Sequence, residues 1–170
     1  MRKGIELHDN LATAFCFLNL SGYSKFQEYR FYEESKEYRK LLEFFTTTFN
    51  KIIPYKTHNA IEIIPQNWYK HERGEVDANT KRLAIRDLTK TWIEWEKETK
   101  TLLETDYKEL EALNEVYAML KIAEILKDVS EELQQAEEKF YNLETFGYDI
   151  VSIIEEQQAI YKKYKKKIRG

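Results

Sequence analysis

Four glutamates lie on or beside the apolar lines of segments whose apolar residues recur at helical spacing. For example, one of them stands seven residues before Leu41, and another stands three residues after Val129. Hard cations such as iron prefer carboxylate oxygens, and helical bundles hold such ions with inward-facing glutamates. If the helices bring these four together, they would form a metal site. The candidate ligands are Glu34, Glu37, Glu98 and Glu132.

A solvated face explains the same glutamates without any metal. The chain has 30 acidic residues, and glutamates normally occupy the edges of amphipathic helices. Arg30 and Lys40 stand at helical spacing from Glu34 and Glu37 and would neutralise them. We give this second interpretation more weight.

A basic, aromatic segment ends the chain. Tyr161 and Tyr164 are interleaved with six cationic residues that could grip phosphates or an anionic surface. The simpler explanation, which we favour, is that cations stabilise the C-terminal end of a helix through its dipole. The candidate anion-binding residues are Lys162, Lys163, Lys165, Lys166, Lys167 and Arg169.

Aromatic residues are dense in two segments, and some of them suit a protein partner. Adjacent Phe31 and Tyr32 cannot share one helix face, so aromatic surface is expected to remain exposed there. Trp92 and Trp95 belong to the second segment. We take these four as candidate partner-binding residues, although most aromatic side chains of the chain should lie in the core.

The elements that must position these residues are helices. Between Gly74 and Gly147 the chain contains no glycine or proline, which removes the strongest helix breakers. Pro54 ends the preceding helix. The pattern predicts five helices, at about 5–21, 23–53, 79–127, 129–146 and 148–168, with a crossover at 54–78.

The position of the reversal inside the glycine-free run has two candidates. Thr105-Asp106 offers a cap residue, and the segment from Asp128 to Glu131 resembles a capping box. We favour the second, because apolar periodicity continues past 106 through Leu110, Leu113, Val116, Tyr117 and Leu120. That interpretation makes these residues part of the apolar stripe of one long helix.

One segment resembles the second helix of ferritins. The chain reads Gly22-Tyr-Ser-Lys-Phe26, then Glu33-Glu34-Ser-Lys-Glu37 and Leu41; in that family a glycine-aromatic start precedes a Glu-Glu-x-x-His segment at about this distance. The resemblance covers roughly 20–53. It implies a four-helix ferritin-like bundle with one long crossover and, here, an additional C-terminal helix. It also implies that Glu34 corresponds to an iron ligand.

The chain departs from that family at the residues that hold metal. Glu37 stands where the family has histidine, and no histidine follows position 71. The first helix has no acidic residue between Asn10 and Gln27. The resemblance therefore implies a related fold without an intact metal centre.

Composition and charge further limit the classes of function that fit this chain. A chain of 170 residues is expected to form one domain. Its net charge of −3 gives little electrostatic attraction to nucleic acid, except through its basic end. Cys16 is the only cysteine, and we see no arrangement of catalytic residues and no membrane span, so we expect a cytoplasmic protein. We predict a non-catalytic binding or scaffold protein that acts through a protein partner or self-association, with no cofactor. The alternative is a reduced ferritin-like metalloprotein that binds or oxidises iron.

Overall fold

The computed structural model describes residues 2–50, 63, 72 and 75–168 of the chain. These residues form five α-helices and, within the described ranges, no β-strand. The prediction of an all-α protein is therefore confirmed. In none of the described helices is there a stretch apolar and long enough to cross a membrane. The helices are α1 (Arg2–Phe17), α2 (Ser21–Phe49), α3 (Ala78–Ala112), α4 (Val116–Thr145) and α5 (Ile150–Ile168).

The predicted position of the reversal was wrong. The chain turns at 113–115, and Asp128 lies in the interior of α4. Asn114 adopts the left-handed conformation with φ 56°. Its N–H donates to the Glu111 carbonyl at 3.1 Å, and the N–H of Glu115 donates to the Leu110 carbonyl at 3.0 Å. This is the Schellman arrangement that ends helices, and asparagine tolerates the left-handed position better than most residues other than glycine.

The same arrangement ends α1 and α4. Asn19 (φ 62°) and Gly147 (φ 59°) hold the left-handed positions. Leu20 N–H donates to the Phe15 carbonyl at 2.9 Å, and Tyr148 N–H donates to the Leu143 carbonyl at 3.0 Å. Three helix ends are thus specified by two asparagines and one glycine.

The beginning of α3 is capped by Asp77. Its Oδ1 accepts hydrogen bonds from the backbone N–H groups of Asn79 and Thr80, both at 3.0 Å. A hydrogen bond from the Thr80 hydroxyl, together with these two backbone bonds, holds the pKa of the Asp77 carboxyl below its usual value. Most of the predicted crossover at 54–78 lies outside the described residues.

The chain divides into two compact units, 1–82 with 150–170, and 83–149. In the first unit, α2 packs against both α1 and α5. Its contact with α5 is close: Gly22 N–H donates to Gln157 Oε1 at 3.3 Å, and the rings of Phe26 and Tyr164 lie 5.0 Å apart in an edge-on arrangement. The Tyr23 hydroxyl also donates to the Glu156 carboxylate.

The second unit is an antiparallel hairpin that contains most of α3 and all of α4. Lys97 Nζ forms an ion pair with Glu137 Oε1 at 2.9 Å, and Lys90 Nζ lies 5.7 Å from the centre of the Phe140 ring. One stripe of α4 is buried along most of its length. Its residues are Ala118, Ile122, Ile125, Val129, Leu133, Ala136 and Leu143.

Candidate functional site

Large apolar side chains stand in solvent where the second unit reverses direction. Four of them occur within eight residues, and we call this group the hairpin tip. The exposed fractions are 70% for Leu113, 58% for Val116, 74% for Tyr117 and 65% for Leu120. Single exposed apolar residues are common on protein surfaces, but a contiguous group marks an interaction surface. The hairpin tip is the strongest candidate site among the described residues.

The turn at Asn114 produces this exposure. Leu113 precedes the left-handed residue and therefore lies in the turn itself. On α4, the buried stripe begins at Ala118 and Ile122. At about 100° per residue, Leu120 lies roughly 200° from both positions and Val116 roughly 200° from Ala118, so both lie on the opposite face. The first turns of α4 are thus apolar on both faces, and only one face is covered.

Acidic residues flank the hairpin tip. Glu109, Glu111 and Glu115 are all exposed. None of the three forms an ion pair within the part of the chain that the structure describes. The nearest cation on α4, Lys121, pairs with Glu124 at 2.7 Å. Lys108 on α3 is exposed beside Glu109, so the hairpin tip combines an apolar centre with a net negative charge.

This surface was not predicted from the sequence. The same residues were predicted to lie in the buried stripe of one long helix that continued to 127. The signal that could have identified the surface is Leu113-Asn114-Glu115, since asparagine is the commonest substitute for glycine at a left-handed helix end. A reversal there moves the following apolar residues out of the predicted stripe.

The four candidate metal ligands are placed differently from one another. Glu34 and Glu132 are partly buried, and each has one fully buried carboxylate oxygen. Glu37 accepts a hydrogen bond from Lys40 Nζ at 2.5 Å, as the solvated-face interpretation predicts. Glu98 is exposed. No cluster of three or more potential metal ligands occurs within the described ranges, so the metal hypothesis has no support from this geometry.

Glu96 is the deeply buried acid of α3, and the sequence analysis did not select it. Its side chain is fully buried, and its Oε1 accepts a hydrogen bond from Trp92 Nε1 at 2.9 Å. The two residues are four apart, so the indole and the carboxylate lie on one helix face. A buried indole N–H normally needs such an acceptor. This pair is therefore explained by the packing of α3.

A second buried polar pair joins α1 to α2. His8 is fully buried, and its Nδ1–H donates to Gln27 Oε1 at 2.7 Å. Burial, together with the positive charge of Arg30, lowers the pKa of the His8 imidazole to about 3. The ring is consequently neutral near pH 7, where it positions the two helices. It has no access to a substrate.

The four candidate partner-binding aromatic residues differ in how far they are exposed to solvent. Tyr32 is 50% exposed, and its ring lies 5.3 Å from that of half-buried Phe31. Trp92 is buried and Trp95 is half-buried. Only Tyr32 among these four is exposed, and it is less exposed than any hairpin tip residue.

The candidate anion-binding residues occupy the last turns of α5. Lys162, Lys163, Lys166 and Lys167 are exposed, while Lys165 is half-buried; we call these five the α5 lysine cluster. Arg169 lies outside the described residues.

A shallow groove of about 530 Å³ lies between α3 and α4, away from the hairpin tip. Lys90, Ile93 and Phe140 line it, and the ion pair between Lys97 and Glu137 spans it. Lys97 and Glu137 pair with each other, Lys90 lies over the Phe140 ring, and Glu94 is the further charged residue of the lining. It offers no set of groups arranged for catalysis.

Comparison with known proteins identifies no relative of this chain. No protein-family model, no curated protein and no solved structure matches it. The resemblance to ferritins at roughly 20–53 therefore stays a prediction from the sequence. The hairpin tip is therefore the feature from which a function can be proposed.

Proposed function

We propose that this protein is a non-catalytic binding protein that contacts a protein partner through the hairpin tip. The observation that supports this proposal is the exposure of four large apolar side chains, between 58% and 74%, within eight residues. Soluble proteins rarely leave such a group uncovered unless it meets another molecule. Tyrosine at the centre of the group is the residue type most often enriched at interfaces.

The charge around the hairpin tip specifies the chemistry of the partner. Glu109, Glu111 and Glu115 carry negative charge that no described residue neutralises by an ion pair. A partner segment with apolar side chains at its centre and Lys or Arg around them would cover the apolar group and compensate these carboxylates. Such rim charges mainly set orientation and association rate, while the apolar centre supplies most of the affinity.

The expected contribution of a single side chain can be worked out. Burying a leucine side chain completely is worth about 1.5–3 kcal/mol. Leu120 is 65% exposed in the chain alone. Covering the exposed part would therefore contribute about 1–2 kcal/mol. Replacing Leu120 with serine should weaken binding by a factor of about 5–30.

Site-specific photo-crosslinking tests this function. A benzophenone amino acid replaces Tyr117 in the full-length protein in living cells, and crosslinked peptides are identified by mass spectrometry. We expect adducts on peptides that contain apolar residues flanked by Lys or Arg. Adding Leu120→Ser should reduce these adducts severalfold.

The matched control places the same amino acid at Gln135, which is exposed on α4 well away from the turn. It should give few adducts. Equal adducts from the two positions, or peptides without basic residues, would contradict the proposal. Absence of any adduct from position 117 would contradict it as well.

A further inference from the structure

The end of α5 has the chemistry that the hairpin tip requires of a partner. Its lysine cluster contains five cations within six consecutive positions. None of them forms an ion pair within the described part of the chain. A helix C-terminus favours cations through its dipole, but the dipole leaves the positive charge of an exposed cluster largely uncompensated.

Aromatic rings accompany these lysines. Lys163 Nζ lies 5.1 Å from the ring centre of Tyr164, and Lys165 Nζ lies 5.1 Å from that of Tyr161. Lys167 Nζ lies 5.0 Å from the ring centre of Tyr29 on α2. The end of α5 is thus a basic surface with aromatic side chains beneath its ammonium groups. Lysine stems can also cover apolar surface while the ammonium group stays accessible to a carboxylate.

We infer that the hairpin tip binds a second copy of this chain, at the α5 lysine cluster. The inference rests on the proposed function and adds the identity of the partner and its contacting surface. Charge complementarity supports it: exposed Glu109, Glu111 and Glu115 on one surface match a lysine cluster on the other, four of whose five members are exposed and none of which forms an ion pair within the described residues. The leucine and tyrosine side chains of the tip would meet lysine stems and tyrosine rings.

This contact joins two different surfaces, and each copy would offer one hairpin tip and one α5 lysine cluster. Two copies could therefore make the contact twice in a two-fold dimer, or successive copies could make it once each in a ring or an open chain. A contact formed by four apolar side chains and a few charges would be small, and interfaces below roughly 1,200 Å² are weak or transient. Association should therefore grow with concentration and weaken with salt, since screening shortens the reach of exposed charges.

Two variants test the hairpin tip and the α5 lysine cluster independently of each other. The tip variant carries Tyr117→Ser and Leu120→Ser; the tail variant carries Lys162→Glu and Lys166→Glu. All four side chains are exposed, so each variant is expected to fold, and circular dichroism checks this. The control for the charge change is Lys36→Glu with Lys127→Glu, two exposed lysines outside both surfaces. Sedimentation velocity is run from about 10 µM to about 1 mM, the range suited to weak association.

The expected result is a specific pattern of masses. The unsubstituted protein and the control should increase in mean mass with concentration. Each variant alone should stay monomeric. An equimolar mixture should form a one-to-one dimer and grow no further, because the tip variant still has its lysine cluster and the tail variant still has its tip.

Several outcomes would overturn this inference. They are a monomeric unsubstituted protein, a monomeric mixture, or a tail variant that associates as the unsubstituted protein does. Association that stops at a dimer and depends only on the tip would indicate tip-to-tip pairing, and would overturn it too.

The crosslinking experiment distinguishes a failure of the self-association inference from a failure of the proposed function. Adducts from position 117 to basic segments of another protein, with a monomeric mixture, would leave the proposed function standing and refute self-association. No adducts at all would refute the proposed function itself.

Discussion

Substitution of Gly22 by alanine tests how α5 is held against α2. A Cβ atom at this position would lie 2.5 Å from the carbonyl carbon of Gln157 and 2.7 Å from its Cα. Both atoms belong to the backbone of α5, so rotation of a side chain cannot relieve the overlap. We expect the two helices to move apart at this point.

The expected change in the free energy of unfolding is the difference between two effects. Alanine is favoured over glycine inside a helix by about 0.5–1 kcal/mol. Overpacking of a well-packed contact costs about 1–3 kcal/mol, and the upper end applies because the overlap is with backbone. Separation would also weaken the hydrogen bond from Tyr23 to Glu156 and the contact between Phe26 and Tyr164. We expect a net loss of about 1–2 kcal/mol, which lowers the melting temperature by about 2–8 °C for a chain of this size.

Thermal unfolding and hydrogen exchange together measure this effect. Gly22→Ala should lower the melting temperature and increase amide exchange in α5 more than in α4. The control is Ser21→Ala, the exposed neighbour in the same helical turn. Adding Gln157→Ala should not rescue the variant, because the overlapping atoms remain. An unchanged melting temperature with unchanged exchange in α5, or rescue by trimming Gln157, would refute the reasoning.

Two further predictions concern a buried histidine and a turn. Because the pKa of His8 falls from 6.5 to about 3 on folding, only the unfolded chain takes up this proton between those values, so stability should fall as pH falls. Relative to His8→Gln, the protein should lose about 1.6 kcal/mol in urea unfolding between pH 6.5 and pH 5; parallel curves would contradict this. Asn114→Ala should cost about 1–2 kcal/mol, because alanine is strained at φ 56°, whereas Asn114→Gly should cost nothing. Asn142→Ala, at an exposed position inside α4, is the control, and equal losses at 114 and 142 would exclude strain in the turn.

The helices were largely predictable, and one reversal was not. Helical spacing and the absence of glycine and proline between 74 and 147 indicated long helices, and five are present. The sequence reasoning treated glycine and proline as the principal markers of helix ends. Asn19 and Asn114 perform the same role here by adopting the left-handed conformation. Asparagine does not interrupt a helical sequence pattern as clearly as glycine or proline does. The reversal was therefore predicted at the capping pattern that begins at Asp128.

The candidate site was less predictable, because it depends on the phase of the buried stripe. In α3 the buried face runs through Trp92, Ile93 and Glu96, whereas Glu98, about 200° around the helix from Glu96, is exposed. Periodicity alone identifies that a stripe exists more reliably than it identifies the edge residues. The apolar residues that follow Asn114 could be assigned to the surface only after the turn was located.

Exposure also decides which of these residues can be tested for binding without disturbing the fold. Trp92 and Glu96 are buried and hydrogen-bonded to each other, so replacing either would alter stability and any binding together. The side chains of Tyr117 and Leu120 are 74% and 65% exposed, and substitutions at such positions usually change stability by no more than about 0.5 kcal/mol. A large loss of association with unchanged unfolding is therefore expected only from a surface that meets another molecule. The hairpin tip is where that separation of binding from folding should be observed.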